Sequence, residues 1–220
     1  MTSPRDPRRP PHDPLAPLRT EGWLTEARRK ALHLSFFVLP LELLFQLLPW
    51  PRGKSEFRLL FIALVVGAIA LDLLRIHERR VGDLFRRFFG GMIREHERFN
   101  LLGSTYLLLA ALLAIEIFPQ PVAAAALGFT VLGDACAAIV GKAWGRTRIF
   151  NKSLEGLAGC LAACLAWAAF LAATGHLPWS VAVTGALVAS LVEFLPIPLD
   201  DNLGITLSAG YAMRLLWMPA

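Results

Sequence analysis

Cysteine is scarce in this 220-residue chain: there are three, at positions 136, 160 and 164. All three fall in apolar runs. Cys160 and Cys164 share a helix face, but no histidine pair accompanies them, so neither a zinc site nor a disulfide framework is indicated. They read as small packing residues and settle no redox compartment. Segments of alternating polarity are also missing, which excludes the strands of a membrane β-barrel. The first apolar run lacks a small-residue cleavage site and follows a long Pro/Arg-rich stretch, so no cleavable signal peptide is expected. Lysine and arginine are absent from three of the stretches joining the apolar runs, after residues 118, 174 and 198.

Apolar sequence is abundant. Hydrophobic residues make up 55% of the chain and the mean hydropathy is +0.53, outside the range of an ordinary soluble domain. Crossing a hydrocarbon core of about 30 Å takes about 20 apolar residues per helix. Seven runs qualify as candidate spans: 31–49, 57–74, 101–118, 122–141, 156–174, 178–198 and 203–218. The breaks at Pro119-Gln120-Pro121 and Gly175-His176-Leu177-Pro178 predict tight helical hairpins. Residues 1–20 hold six prolines and read as a disordered leader. Residues 21–220 read as one all-α polytopic membrane domain.

Basic residues set the expected orientation. With the N-terminus inside, eighteen of the 22 Lys and Arg fall on the cytoplasmic side and four outside. The net charge of +5 then reports topology and contact with anionic headgroups, not nucleic-acid binding. The expected location is an integral membrane protein with its charged segments on the cytoplasmic face, the inner membrane if the source is bacterial.

Between the second and third runs, Val81, Leu84, Phe85, Phe88, Phe89 and Met92 recur at helical spacing opposite Arg79, Arg80, Asp83, Arg86 and Arg87. This predicts an amphipathic helix lying in the membrane interface, ended by Gly90-Gly91. Arg94-Glu95-His96-Glu97-Arg98 follows. It reads as a solvated turn, or as two carboxylates at a helix mouth that share a metal or orient a base.

The most informative stretch is Gly133-Asp134…Gly141-Lys142…Gly145-Arg146, followed by Asn151-Lys152-Ser153-Leu154-Glu155-Gly156. A carboxylate at membrane depth costs about 2.5–3.5 kcal/mol on insertion scales, and such residues serve ions, protons or substrates by default. Asp134, Ala138, Gly141 and Gly145 share one helix face, which carries one acid and little bulk. Lys142, Arg146, Arg148 and Lys152 supply positive charge, and a helix opening near Ser153 offers amide N–H groups to an anion. Acid for a metal with bases and amides for phosphate predicts a nucleotide–Mg²⁺ site at a membrane surface. Plainer readings stand beside it: Asn151 or Ser153 as an N-cap, and Glu155 as a first-turn acid.

Three other places invite the same question. Arg29, Lys30 and His33 precede the first run, as positive-inside anchors or as phosphate and hydroxyl contacts. Asp200-Asp201-Asn202 forms a base-free acidic loop. One of its residues is explained as an N-cap, and a hard divalent cation with oxygen ligands accounts for the rest. Glu193 lies deep in the sixth run with no sequence-local partner, while Asp72 has Arg75 or Arg79 within reach. Glu42 and Glu116 read as structural.

Together these segments resemble the CTP-using lipid-alcohol kinases: dolichol and polyprenol kinases, phytol kinases and CTP-dependent diacylglycerol kinases. That group is related to the phosphatidate cytidylyltransferases. Four matches carry the resemblance across most of residues 28–210: Arg29-Lys30 with His33, Arg94-Glu95 with Glu97 before Gly103 and Tyr106, the Asp134 block, and Asp200-Asp201-Asn202. The His-Gly-Gly…Asp-Arg-Asp-type signature of true cytidylyltransferases is missing, which favours the kinase branch.

The resemblance implies transfer of the γ-phosphoryl of CTP to the hydroxyl of a membrane lipid alcohol. In that reading Asp134, Asp201 and Asn202 hold Mg²⁺ on the triphosphate. Lys142, Arg146 and Lys152 neutralise its oxygens, and Ser153 with neighbouring amides cradles them. Gly133, Gly141 and Gly145 let the ligand approach the backbone, Gly156 belongs to the same phosphate-binding set, and Arg29, Lys30 and His33 close the site. Glu95, Glu97 or Glu155 takes the hydroxyl proton. The rivals are a cytidylyltransferase forming a CDP-lipid and a non-enzymatic transporter.

Overall fold

Prolines and glycines punctuate the apolar runs, and helices form between them. A computed structural model describes residues 21–90, 97 and 99–217, with side chains from Arg28 onward. The expected leader and Glu95 lie outside the described residues. Nine helices are seen among those residues: α1 (Glu21–Ser35), α2 (Val38–Phe45), α3 (Lys54–His77), α4 (Arg79–Phe89), α5 (Gly103–Ile117), α6 (Gln120–Trp144), α7 (Leu154–Ala173), α8 (Trp179–Phe194) and α9 (Asp201–Leu216). A two-stranded antiparallel ribbon, β1 (Arg148–Ile149) with β2 (Lys152–Ser153), pairs Arg148 with Ser153 between α6 and α7.

The chemistry of each boundary is local. Pro119 and Pro178 precede α6 and α8, where a missing N–H costs nothing. The Ser153 hydroxyl accepts from Gly156 N at 3.0 Å to open α7, and the Asp200 carboxylate accepts from Asn202 N at 2.9 Å to open α9. Asp200 is therefore the N-cap of the acidic loop. Gly175, at φ +73°, ends α7 in the left-handed region.

Three helices, α3, α6 and α7, are long and apolar enough to cross a membrane, while α5 and α8 are shorter apolar helices. The first expected span, 31–49, is two pieces. A turn at Phe36-Phe37 separates α1 from α2, because Pro40 lacks the N–H that would continue the helix across that point. At 1.5 Å per residue, the eight residues of α2 reach only about 12 Å.

Helix α6 is the central element, packed against α1, α2, α5, α7, α8 and α9. Its Ala123–Ala126 tract is fully buried. Small side chains there bring neighbouring backbones close, the usual basis of helix association in lipid. Deeper polar groups pair internally: the Thr130 and Thr206 hydroxyls meet at 2.7 Å between α6 and α9. Cys160 and Cys164 are buried free thiols in the packed core, in keeping with their packing role. Glu42, also buried, accepts from Leu48 N at 3.1 Å and finishes α2.

Side-chain bonds register the two ends of the bundle. At one end Lys54 Nζ donates to Glu116 O at 3.0 Å, Arg58 pairs with Glu116, and Arg214 donates to Ile117 O. At the other, the C-terminal parts of α1, α3, α6 and α8 meet the N-termini of α5, α7 and α9. That end holds the Asp134 cluster.

Candidate functional site

Asp134 sits ten residues before the end of α6, about 15 Å along the axis from Trp144. Lys30 of α1 donates to its Oδ2 at 2.7 Å and to its main-chain carbonyl at 3.2 Å. His33 Nε2, one turn further along α1, lies 3.4 Å from the same carboxylate oxygen. An acid and a lysine, both largely buried and distant in sequence, thus neutralise each other where either alone would be costly.

The N-terminus of α9 makes a second cluster. Lys152, on β2, lies 3.1 Å from Glu193 Oε1 and 3.5 Å from Asp201 Oδ2, and its ammonium donates to the Glu193 carbonyl. One lysine thereby ties the ribbon to the C-terminus of α8 and the start of α9. Glu193, whose partner was not evident from sequence, belongs to this cluster. Its only sequence signal is the intramembrane acid itself.

The two clusters face one polar cavity of about 320 Å³. Lys142, Arg148 and Asn151 stand on it together with Arg29, Lys30, Asp134, Lys152, Ser153, Glu193 and Asp201. Asp134 and Asp201 therefore share one space. Gly141 and Gly156 also line it, while Gly145 and exposed Arg146 do not. The ribbon that carries Arg148 and Lys152 has no β signal in the sequence. It turns at Phe150, held at φ +56°, an uncommon conformation for a bulky residue.

Several of these glycines are also sites of close helix packing. A Cβ at Gly133 would sit 3.0 and 3.1 Å from the sulfurs of Cys160 and Cys164, so its space is taken by α7. A Cβ at Gly156 would lie 2.9 Å from Ala137 O and 3.4 Å from Gly141 Cα. Gly141 and Gly156 form the close crossing of α6 and α7 directly beneath the polar cavity. Gly156→Ala should cost about 1–3 kcal/mol through overpacking, read as a lower melting temperature of the detergent-solubilised protein. The α7 amides are likewise less open than expected. Leu154 N donates to Thr147 O at 3.0 Å and Gly156 N to Ser153, which leaves fewer for an anion.

A second cavity, about 300 Å³, adjoins the first, and Arg29, Lys30 and Asp134 line both. His33, Glu97, Gly103 and Asn202 stand on the second one, among leucines and phenylalanines. Glu97 Oε1 accepts from Gly103 N at 3.0 Å, and Asn202 Nδ2 donates to Gly103 O at 3.1 Å. Asn202 therefore faces away from the cavity of its neighbour Asp201, as successive residues on a helix turn by 100°. Glu155 lines neither cavity; its carboxylate accepts from Thr147 N at 3.1 Å and braces the ribbon.

Behind the second cavity lies a buried polar latch. Asp72, 1% exposed, bonds Arg75 Nε at 2.7 Å, Thr105 Oγ1 at 2.7 Å and Leu102 N at 3.0 Å. Arg75 donates onward to the carbonyls of Glu97 (3.0 Å) and Asn100 (2.5 Å) and lies over the Phe85 ring. The latch holds the backbone at Glu97, Asn100 and Leu102, and Glu97 and Leu102 line the cavity.

Among the described residues no three His, Cys, Asp or Glu side chains gather into a metal cage. The donor chemistry suits a different mode. Mg²⁺ is commonly held by one or two carboxylates together with substrate phosphates and water, and Asp134 with Asp201 on one basic cavity matches that set.

Comparison with known proteins finds relatives at low identity. An uncharacterized protein of Rickettsia prowazekii is 25% identical over 198 residues, covering 87% of this chain and 94% of its own. The CTP-dependent diacylglycerol kinase 1 of Schizosaccharomyces pombe is 27% identical over 212 residues, covering 87% of this chain and 93% of its own. No family model matches the chain, and no solved structure matches it significantly.

Proposed function

We propose that this chain is a CTP-dependent lipid kinase that moves the γ-phosphoryl of CTP to the hydroxyl of a membrane lipid alcohol. One observation carries the reading. A basic, polar cavity and a largely apolar one abut, and Arg29, Lys30 and Asp134 form their common wall. A water-soluble, highly charged donor and a membrane-soluble acceptor need such a pair of spaces. The similarity to a diacylglycerol kinase over most of both chains supports it.

Phosphoryl transfer depends mainly on positioning and on neutralising charge. Lys142, Arg148 and Lys152 would receive the triphosphate on the polar side, with Arg29 and Lys30 at the shared wall. Asp134 and Asp201 would hold Mg²⁺, which when bound would offset the negative charge of the phosphates. Lys30 and His33 keep the Asp134 carboxylate oriented. The acceptor oxygen forms a bond to the γ-phosphorus as the bond from that phosphorus to the β–γ bridging oxygen breaks. CDP departs with the electron pair, and the hydroxyl proton passes to a carboxylate. Of the three candidate bases, Glu97 is the one on a cavity with Asp134; Glu155 braces the ribbon, and Glu95 lies outside the described residues. The active face is the cytoplasmic one in this reading, from the distribution of basic residues.

Labelled CTP tests the reaction. With purified protein and Mg²⁺, offered lipid alcohols and, separately, phosphatidate, label from the γ-phosphate should appear in the lipid made from the alcohol. Label from the α-phosphate in the lipid made from phosphatidate instead would identify a cytidylyltransferase and overturn the kinase reading. Glu97→Gln should lower turnover about 10²–10⁴-fold, the usual contribution of a positioned base, with nucleotide affinity retained. A variant that turns over normally removes Glu97 from that role.

A further inference from the structure

The aqueous and membrane-facing walls of the two cavities differ in a way that assigns them distinct routes. On the polar cavity, Lys142, Arg148 and Asn151 are exposed and lie at the end of the bundle, on α6 and the ribbon. The second cavity is bounded by α1, α3, α4 and α5, with Asp134 of α6 and Asn202 of α9 also on its wall. Two of its leucines, Leu32 on α1 and Leu71 on α3, are also 50% and 44% exposed. Leu71 lies six residues inside the C-terminus of α3, a helix apolar enough to span a bilayer. At 1.5 Å per residue that is about 9 Å along the helix axis from its end. Exposed Leu71 therefore stands at hydrocarbon depth on α3, and exposed Leu32 is brought to the same cavity by α1.

Helix α4 closes the space from the end of the bundle. It contributes Phe85 and Phe89 to the cavity and leaves Leu84 and Phe88 exposed. Its seat on α3 is tight: a Cβ at Gly82 would lie 2.6 Å from Arg75 O, so only glycine permits that approach. A helix with exposed apolar residues alternating with Arg79, Arg80, Arg86 and Arg87 suits the headgroup boundary.

Resting on the kinase reading, we propose that the second cavity is the acceptor site, and that a lipid alcohol enters it sideways from the bilayer between Leu32 and Leu71. The hydroxyl end passes beneath α4 and comes to lie by Glu97 and Asp134, while the hydrocarbon tail stays in the membrane. A volume of about 300 Å³ holds only the hydroxyl end with its first carbons, since one water-sized group takes about 30 Å³. The shared chemistry is an alcohol on a hydrocarbon anchor, which a polyprenol and a diacylglycerol both offer.

The test uses the full chain in lipid nanodiscs with Mg²⁺. Leu32→Trp and Leu71→Trp each narrow the rim, and both positions are exposed enough to accept the larger ring without disturbing the core. A photoactivatable polyprenol and a photoactivatable diacylglycerol are cross-linked separately, and labelled peptides are mapped. At least one should label the α1, α3 and α5 segments around the cavity in the unsubstituted protein. Both tryptophan variants should cut that labelling at least tenfold and raise the acceptor KM similarly, with binding of a non-hydrolysable CTP analogue within twofold. Labelling confined to other surfaces, or tryptophan variants that label and turn over unchanged, overturns the site. Cavity labelling without γ-phosphoryl transfer would leave the site standing and sink the kinase reading instead. The lipid that labels and is displaced by its unmodified form identifies the acceptor class.

Discussion

Asp134→Asn is expected to abolish phosphoryl transfer while the protein still inserts and folds. Among the described residues the carboxylate is the only acid on the wall common to both cavities, and it anchors Lys30 and His33. The amide is nearly isosteric and keeps an oxygen to accept from Lys30, but it loses the charge that would engage a divalent ion on the triphosphate. Loss of one preorganised electrostatic contact commonly lowers kcat by about 10²–10³, and loss of a metal ligand at the reacting phosphate should exceed that. Turnover with γ-labelled CTP reads the effect. Size-exclusion behaviour and melting temperature show whether the fold survives. Because Lys30 is then left with a buried, unneutralised charge, some stability should be lost too. Asp134→Asn combined with Lys30→Met should regain stability without regaining activity. A folded Asp134→Asn protein with near-normal turnover would remove Asp134 from the chemistry.

Arg75→Leu is expected to produce the largest loss of stability. It leaves Asp72 buried with its charge no longer countered, and it strips a donor from the carbonyls of Glu97 and Asn100. Removing one partner of a buried ion pair typically costs about 3–5 kcal/mol. The melting temperature in detergent should fall accordingly. Asp72→Asn with Arg75→Leu should recover part of the loss, since no isolated charge remains. The segment bearing Glu97 loses its anchor in either case, so turnover should stay low after stability is partly restored. Recovery of both together would mean the latch acts on the fold alone.

The legible and illegible parts of the molecule differ by range. Hydropathy and helix punctuation are local, and they marked α3, α6 and α7 as membrane-length helices before any contact was known. The same local signal joined α1 and α2 into one span, because an apolar run through Phe36 and Phe37 hides the interruption that Pro40 causes. Asp72 and Arg75 are three residues apart, so their pairing was visible as an option. Their grip on Glu97, Asn100 and Thr105 was not, because it crosses between helices.

The Asp134 block announced itself by chemistry, an acid and bases amid apolar sequence. Its glycines did not reveal their function. A ligand cradle and a close helix crossing demand the same residue, and only the position of α7 told them apart at Gly133. Glu193 illustrates the reverse: its oddity was visible, and its partner Lys152 lies 41 residues away.

What the amino-acid order determined alone was an apolar, all-helical protein whose chemistry-bearing residues sit at a few marked points, because burial preference and helix capping act within a turn or two. Tertiary structure decided which of those points meet. Lys30 finds Asp134 across 104 residues, and Asp201 and Asn202, adjacent in the chain, open onto different cavities. Packing of α1, α6 and α9 imposes those meetings, since a helix fixes the direction of each side chain but not the identity of what it faces.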